Sequence, residues 1–383
     1  MNNSVLLLPD GSNQLDKAGR LISAAGQAAN QAAADYLFAD YRQRRAAKTI
    51  RTQTASLILW VQYLNQVKAA GELISAAEGW AANFFDKKER AKIGRYAQSQ
   101  HTPLPIIYTG HFCQHRPEAW QGVTWGLVEG FVKWLLNEGY SVASVNNRLS
   151  AVKVYVRLAT KAGVIPPTEA ALIREVRGYS TTEGKRVDNI RERTRVGYKK
   201  EAAIVLTAEQ ARQLKTKHPP TPQGIRDRLM LTLLLDLGLR ASEVATLRVE
   251  DLAEPGYVTV YRQKTDSTDR MALTADLQAA MEGYKKYMRD KGRLLRGSRK
   301  NEKLTNQNMS VRAIGGRVKI LGRDILGIWE LSPHDLRHTW ATRAAKGSNP
   351  FVLRDAGGWT NMQTPGRYVE RSQVVNEGIK LDY

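Results

Sequence analysis

Apolar residues recur at three- and four-residue spacing along most of this chain, and strand-like alternation is confined to one short region. Leu57, Trp60, Val61 and Leu64 predict a helix over Thr52 to Ala70. Ahead of it, residues 14–48 read as one long helix rich in Ala and Gln, closing in the basic run Arg42-Gln43-Arg44-Arg45. Between 71 and 119 no clear period emerges; Pro103, Pro105 and scattered glycines suggest shorter helices broken by loops. From Val123 to Leu135 an apolar stripe returns and stops at Gly139, a residue suited to the left-handed position after a helix. Ser141 or Ser144 can cap the next helix, which runs through Val145, Leu149, Val152, Val156 and Leu158 to Gly163. Its other face carries Asn146, Asn147, Arg148 and Lys153, a basic, amide-rich surface that suits either solvent or a DNA groove.

Pro166-Pro167 stops that helix, and residues 166–204 read as a connection between domains. Lys185, Arg186, Arg191, Arg193, Arg195, Lys199 and Lys200 make it strongly basic. Such runs are usually solvated linkers, but between two DNA-binding lobes this one would cross the phosphate backbone. A second domain starts near Thr207, whose hydroxyl forms a capping box with Gln210. Helix 223–237 is apolar on nearly every face and should be buried; Gly238 ends it, and Arg240 sits in the break before a short helix at Ala241. Tyr257–Tyr261 and Arg270–Leu273 predict a strand pair joined by the turn residues Thr265–Asp269. Ser332-Pro333, Asn349-Pro350 and Thr364-Pro365 are cap-plus-proline helix starts. The expected fold is mainly α with a small antiparallel β-sheet, arranged as 1–165, a connection at 166–204, and 205–383.

A formal charge of +21 and a pI near 10.0 point to a polyanionic partner. Lys and Arg are spread through both halves rather than gathered on one amphipathic helix, which favours nucleic acid over an anionic membrane. No run of eighteen apolar residues is present, and Met1–Asp10 lacks a basic segment, so neither a membrane span nor a signal peptide is expected. The single Cys113 excludes an internal disulfide or a Cys-cluster zinc site, and fits a reducing cytosol. The first forty residues are too weakly basic to read as an independent DNA-binding arm.

Several groups then stand out as chemistry. Arg240, beside a buried helix, either pairs locally with Glu243 or Asp236 or grips a phosphate with its planar fork. Lys264, at the end of the first strand, is either a solvated turn lysine or a general acid. Ser332 and Asp335 cap a helix on which His334 and Arg337, three apart, share a face near free backbone N–H groups. His338 is expected to face elsewhere and pack internally. Trp359 follows Gly357-Gly358, and Tyr368 lies nine residues beyond it. Tyr383 has no basic constellation before it.

Leu237-Gly238-Leu239-Arg240-Ala241-Ser242-Glu243 and His334-Asp335-Leu336-Arg337-His338-Thr339 resemble the two arginine boxes of the tyrosine recombinase, or phage-type integrase, family. That family's third box usually reads Leu-Gly-His with a tyrosine nine residues on; here Gly357-Gly358-Trp359 and Tyr368 occupy it. Tryptophan is a known variant there, its indole N–H donating one hydrogen bond, whereas Gly357 departs from the usual apolar residue. The resemblance covers 205–370 strongly, 120–165 moderately, and little before 119.

It implies a helical core-binding domain plus an α+β catalytic domain, closing on DNA as a C-shaped clamp. It implies that Tyr368 forms a 3′-phosphotyrosyl link while Arg240 and Arg337 hold the non-bridging oxygens. His334 would assist proton transfer, Lys264 would protonate the leaving oxygen, Trp359 would donate to phosphate, and Glu243 would brace Arg240. Arg148, Lys153, Arg186, Arg193, Lys199 and Lys200 are the expected DNA contacts. No metal or other cofactor is implied, because the covalent link keeps the bond energy. The implied partners are double-stranded DNA recombination sites, a homotetramer on paired sites, and accessory DNA-bending proteins. The implied location is the cytoplasm, nucleoid-associated or encoded by a mobile element. Two rival readings are a type IB topoisomerase, which shares the chemistry without synapsis, and a non-catalytic DNA-binding protein.

Overall fold

The computed structural model describes residues 25–191, 203–299 and 301–370, apart from Gln27, Gln31 and Asp35. It divides into two compact units, Met1–Tyr198 and Lys199–Tyr383. No helix among the described residues is long and apolar enough to cross a membrane.

In the first unit, of the helix read over 14–48, residues 14–24 lie outside the described residues; the described part ends at 43, and Ala46 is extended (ψ 140°) before helix α1, Ala47–Gln66. That break lets Phe38 and the Leu57–Trp60–Val61 stripe reach one core. The unreadable stretch is three further helices: α2 (Gly71–Phe84), α3 (Lys87–Ser99) and α4 (Leu104–His115). Pro105 lies in the first turn of α4, where its missing N–H would have no partner anyway, so it starts a helix rather than breaking one. Helices α5 (Trp125–Asn137) and α6 (Val142–Lys161) follow, the latter capped by Ser141. Trp60, Trp120 and Tyr155 stack through the centre at 6.3 and 6.0 Å, and Trp120 Nε1 donates to the Cys113 carbonyl at 2.8 Å. Burial pushes the Cys113 thiol up to about 12, which makes it an inert core residue.

Residues 166–204, read as a connection, are described up to 191 and again from 203. Helices α7 (Pro167–Glu175) and α8 (Thr181–Ile190) occupy much of that stretch, with Ile173 and Val176 in the first unit's core. Arg191 donates to the carbonyls of Leu136 and Tyr140 at 3.1 and 2.9 Å, satisfying the open end of α5. The charges masked a capping box formed by Ser180 and Glu183. Arg193, Arg195, Lys199 and Lys200 lie outside the described residues.

The second unit enters along α14 (Pro333–Ala344): the Ile204 N–H donates to Asp335 Oδ1 at 2.9 Å, and the Leu206 N–H to Thr339 Oγ1 at 3.0 Å. Helix α9 (Ala208–Thr216) starts at the Thr207–Gln210 capping box. Helix α10 (Pro222–Asp236) is buried through Leu229–Leu235 and forms the core with Val258, Val260, Ile314, Val318 and Leu336. Each such side chain contributes about 1.5–3 kcal/mol on leaving water. The short α11 (Ala241–Thr246) leads to β1 (Tyr257–Arg262), which pairs antiparallel with β2 (Ser267–Ala272). The turn is therefore 263–266 rather than 265–269, and Lys264 lies inside it instead of ending the strand.

After α12 (Ala275–Tyr284) comes a hairpin that the sequence pattern did not show: β3 (Arg296–Ser298) with β4 (Leu304–Asn308). Its strands are polar and lack the apolar alternation that marks β1. Helices α13 (Val311–Leu326), α14, α15 (Pro350–Gly357) and α16 (Gln363–Glu370) complete the described chain.

Candidate active site

The site is built around the start of α14. Ser332 and Asp335 close a reciprocal capping box with Pro333 in the first turn, which fixes where the helix begins. Arg337 then falls one turn in, 4% exposed, and donates to the carbonyls of Gly238 (2.7 Å) and Gly357. Gly238 has φ +60°, and a Cβ there would sit 2.3 Å from the Trp340 ring, so only glycine presents its carbonyl this way. Burial, then the nearby Arg240 charge, draws the Arg337 guanidinium down to about 10. It is a desolvated cation satisfied by neutral oxygens.

Arg240 is the N-cap of α11. Its N–H and Nη1 both reach Glu243, at 2.7 Å each, and Nη2 reaches the Gly358 carbonyl at 3.2 Å. The local salt bridge weighed from sequence is present, yet a quarter of the Arg240 side chain remains exposed (25%). Behind it, Glu243 is buried, and its second oxygen accepts from Arg262 Nη1 at 3.1 Å. Sequence reading missed Arg262; as the last residue of β1 it fell just past the predicted strand and looked like one more surface charge.

Gly357 and Gly358 end α15, with Gly358 left-handed at φ +57°. A Cβ on Gly357 would lie 2.3 Å from the Trp359 ring, so the departure from the usual apolar residue makes room for the indole. Trp359 carries the Arg337 guanidinium over its ring at 4.9 Å and packs against Trp340 at 6.2 Å. On the same indole lies Tyr368, from the second turn of α16, at 5.8 Å. Tyr368 also meets the His338 ring edge-on at 4.8 Å. His338 thus packs internally, but against the phenol; its position four residues after His334, on the same helix flank, was the available signal.

The structure therefore brings Arg240, Glu243, Arg337, Trp359 and Tyr368 together. His334 is exposed at the start of the helix bearing Arg337, and Lys264 is exposed in the turn of the hairpin whose Arg262 joins the cluster.

In the first unit, Arg148 is half-buried over the Tyr140 ring at 4.3 Å and donates to the Ser144 carbonyl. Lys153 caps α7 by donating to the carbonyls of Arg174 and Val176, and Asn146 holds the Tyr179 backbone through both amide atoms. Much of the face read as a DNA surface is thus spent on fixing 174–179. Arg186 is exposed on α8; Arg193, Lys199 and Lys200 fall outside the described residues.

The phage integrase family model matches residues 205–373, and the phage integrase N-terminal SAM-like domain matches 107–163. Tyrosine recombinase XerC of Roseiflexus sp. is 24% identical over 264 residues, covering 65% of this chain and 75% of that protein. A tyrosine recombinase of Pseudothermotoga lettingae is 34% identical over 172 residues, covering 40% of this chain and 54% of its own. Among solved structures, XerH site-specific recombinase bound to a palindromic difH substrate matches with TM-score 0.53 and 14% identity, covering 84% of this chain and 94% of that one. At that identity the likeness shows the fold alone.

Proposed function

The chain belongs to the tyrosine recombinase family, site-specific recombinases that cut and rejoin DNA, and we propose that it does so through a covalent bond between Tyr368 and a 3′-phosphate. The observation that carries this reading is Arg337: a buried guanidinium over the indole that stacks on Tyr368, held by carbonyls and drawn down to about 10. A phosphate placed between Arg337 and Arg240 would relieve that cost, because each guanidinium gains a charge-assisted bond.

In the proposed reaction the Tyr368 oxygen attacks phosphorus, the phenol proton passes to His334, and the bond to the 5′-oxygen breaks. Lys264 gives that oxygen its proton. Arg240 and Arg337 hold the two non-bridging oxygens, Trp359 adds one N–H donor, and Glu243 braces Arg240 from behind. Removing one such preorganised donor typically costs about 3–4 kcal/mol of barrier. Rejoining reverses the steps with a new 5′-hydroxyl, so bond energy is conserved in the phosphotyrosine. We extend the proposal to a homotetramer on two recombination sites, to accessory DNA-bending proteins and to the cytoplasm as its location. The residues at 1–165 would serve as a core-binding domain, with basic residues through 200 contacting phosphates.

Incubation with a duplex nicked close to the cut site, which loses its 5′-hydroxyl fragment, should trap a protein–DNA adduct on a denaturing gel. Tyr368→Phe should abolish the adduct and leave DNA binding intact; an adduct that survives the substitution refutes the assignment.

A further inference from the structure

Arg262 has no exposed surface, and a charge so placed is costly unless every donor is matched. It is matched from three elements. Nε donates to Asp269 on β2 at 2.7 Å, Nη1 to Glu243 on α11 at 3.1 Å, and Nη2 to the Ala356 carbonyl near the end of α15 at 2.8 Å. Each of those elements leads to a group assigned above. Glu243 holds Arg240, Ala356 lies three residues before Trp359, and Arg262 and Asp269 bracket the turn carrying Lys264.

Among the described residues, both groups that the Arg240 guanidinium bonds rest on this one side chain. Glu243 divides its oxygens, Oε1 to the Arg240 Nη1 and Oε2 to Arg262 and the Arg240 N–H. The other partner is the carbonyl of Gly358, whose backbone packs so closely on Arg262 that a Cβ there would be 2.9 Å from Nε. We infer that Arg262 is a positioning residue, fixing Arg240, the lysine-bearing turn and the segment before Trp359 in one relation. This rests on the reading of Arg240 as a phosphate-holding group.

Lysine keeps the charge but offers its donors from a single point, so it cannot reach Glu243, Asp269 and Ala356 together. In the full chain, Arg262→Lys should slow single-turnover adduct formation on the nicked duplex by about 100-fold, since small misplacements cost that much. Affinity for the uncut duplex should change by less than about threefold. In an Arg240→Lys background the same change should cost several-fold less than in the wild type, because the part of its effect that runs through Arg240 is already lost.

An Arg262→Lys protein that forms adduct near the wild-type rate overturns the inference, as do rate losses at 240 and 262 that simply multiply. Should the Lys variant fail to fold by circular dichroism, Asp269→Asn, at the rim of the network, takes its place with a slowing of about tenfold or more expected. A wild-type protein that forms no adduct instead brings down the reading of Tyr368 itself.

Discussion

The ring of Tyr368 stacks on the indole of Trp359, with centroids 5.8 Å apart and planes 26° from parallel. The guanidinium of Arg337 lies over that same indole at 4.9 Å. One side chain thereby sets the phenol and the buried cation at a fixed separation, although they come from α16 and α14. Trp359→Phe keeps a smaller ring between them and loses the N–H, whereas Trp359→Ala removes the spacer altogether. Adduct formation should fall by about tenfold in the first and by roughly 100-fold or more in the second. Equal losses would mean that the stack contributes nothing.

Glu243, 4% exposed, is the carboxylate shared by Arg240 and by Arg262, itself fully buried. Glu243→Gln leaves two guanidinium groups facing a neutral amide. Removing one partner of a buried pair costs about 3 kcal/mol or more, so the urea midpoint of the second unit should drop accordingly. Circular dichroism on the full chain tests this; an unchanged midpoint rejects the brace.

Gly357 has no room for a methyl group, because the indole of Trp359 occupies that space at 2.3 Å. Gly357→Ala should displace the ring from Arg337 and Tyr368 and abolish most adduct formation while the protein stays folded. Near-ultraviolet circular dichroism, which reports aromatic packing, should change in parallel. Retained activity with an unchanged spectrum would sink the explanation offered for this departure from the family pattern.

In the first unit, His111 and His115 are held down to about 4 and about 3, chiefly by burial and then by the Arg42 charge. Unfolded, both titrate near 6.5. Their neutral form is therefore fully compatible with folding above that pH, and stability is lost as pH falls from about 6.5 toward 4, because only the unfolded chain takes up the protons. At pH 5 the loss should be roughly 1–2 kcal/mol per imidazole. His115→Phe should flatten the dependence of the urea midpoint on pH between 7.5 and 5; an unaltered slope rules the residue out.

The second unit was the more legible half of the sequence, for a local reason. Ser332 with Asp335, Thr207 with Gln210, and Gly238 and Gly358 are helix punctuation that acts within four residues, and each stands where the pattern put it. Those short-range signals placed Arg240, Arg337 and Trp359 at helix ends. What they could not show is convergence over long spans: Arg262 meets Ala356 only because the sheet packs beside α15, and no period records that. His338 packs internally as expected, but its partner Tyr368, thirty residues on, was not legible for the same reason. The stretch 71–119 failed for the opposite reason, since Pro105 was read as a breaker when it stands in a first helical turn.

Where relatives carry an imidazole, the position of Trp359 offers an indole whose N–H neither gains nor sheds a proton in ordinary buffers. That corner of the pocket presents one unchanging donor whether the surroundings are mildly acidic or mildly alkaline. Any acid or alkaline limb in the rate of strand cutting must then originate in groups other than this indole.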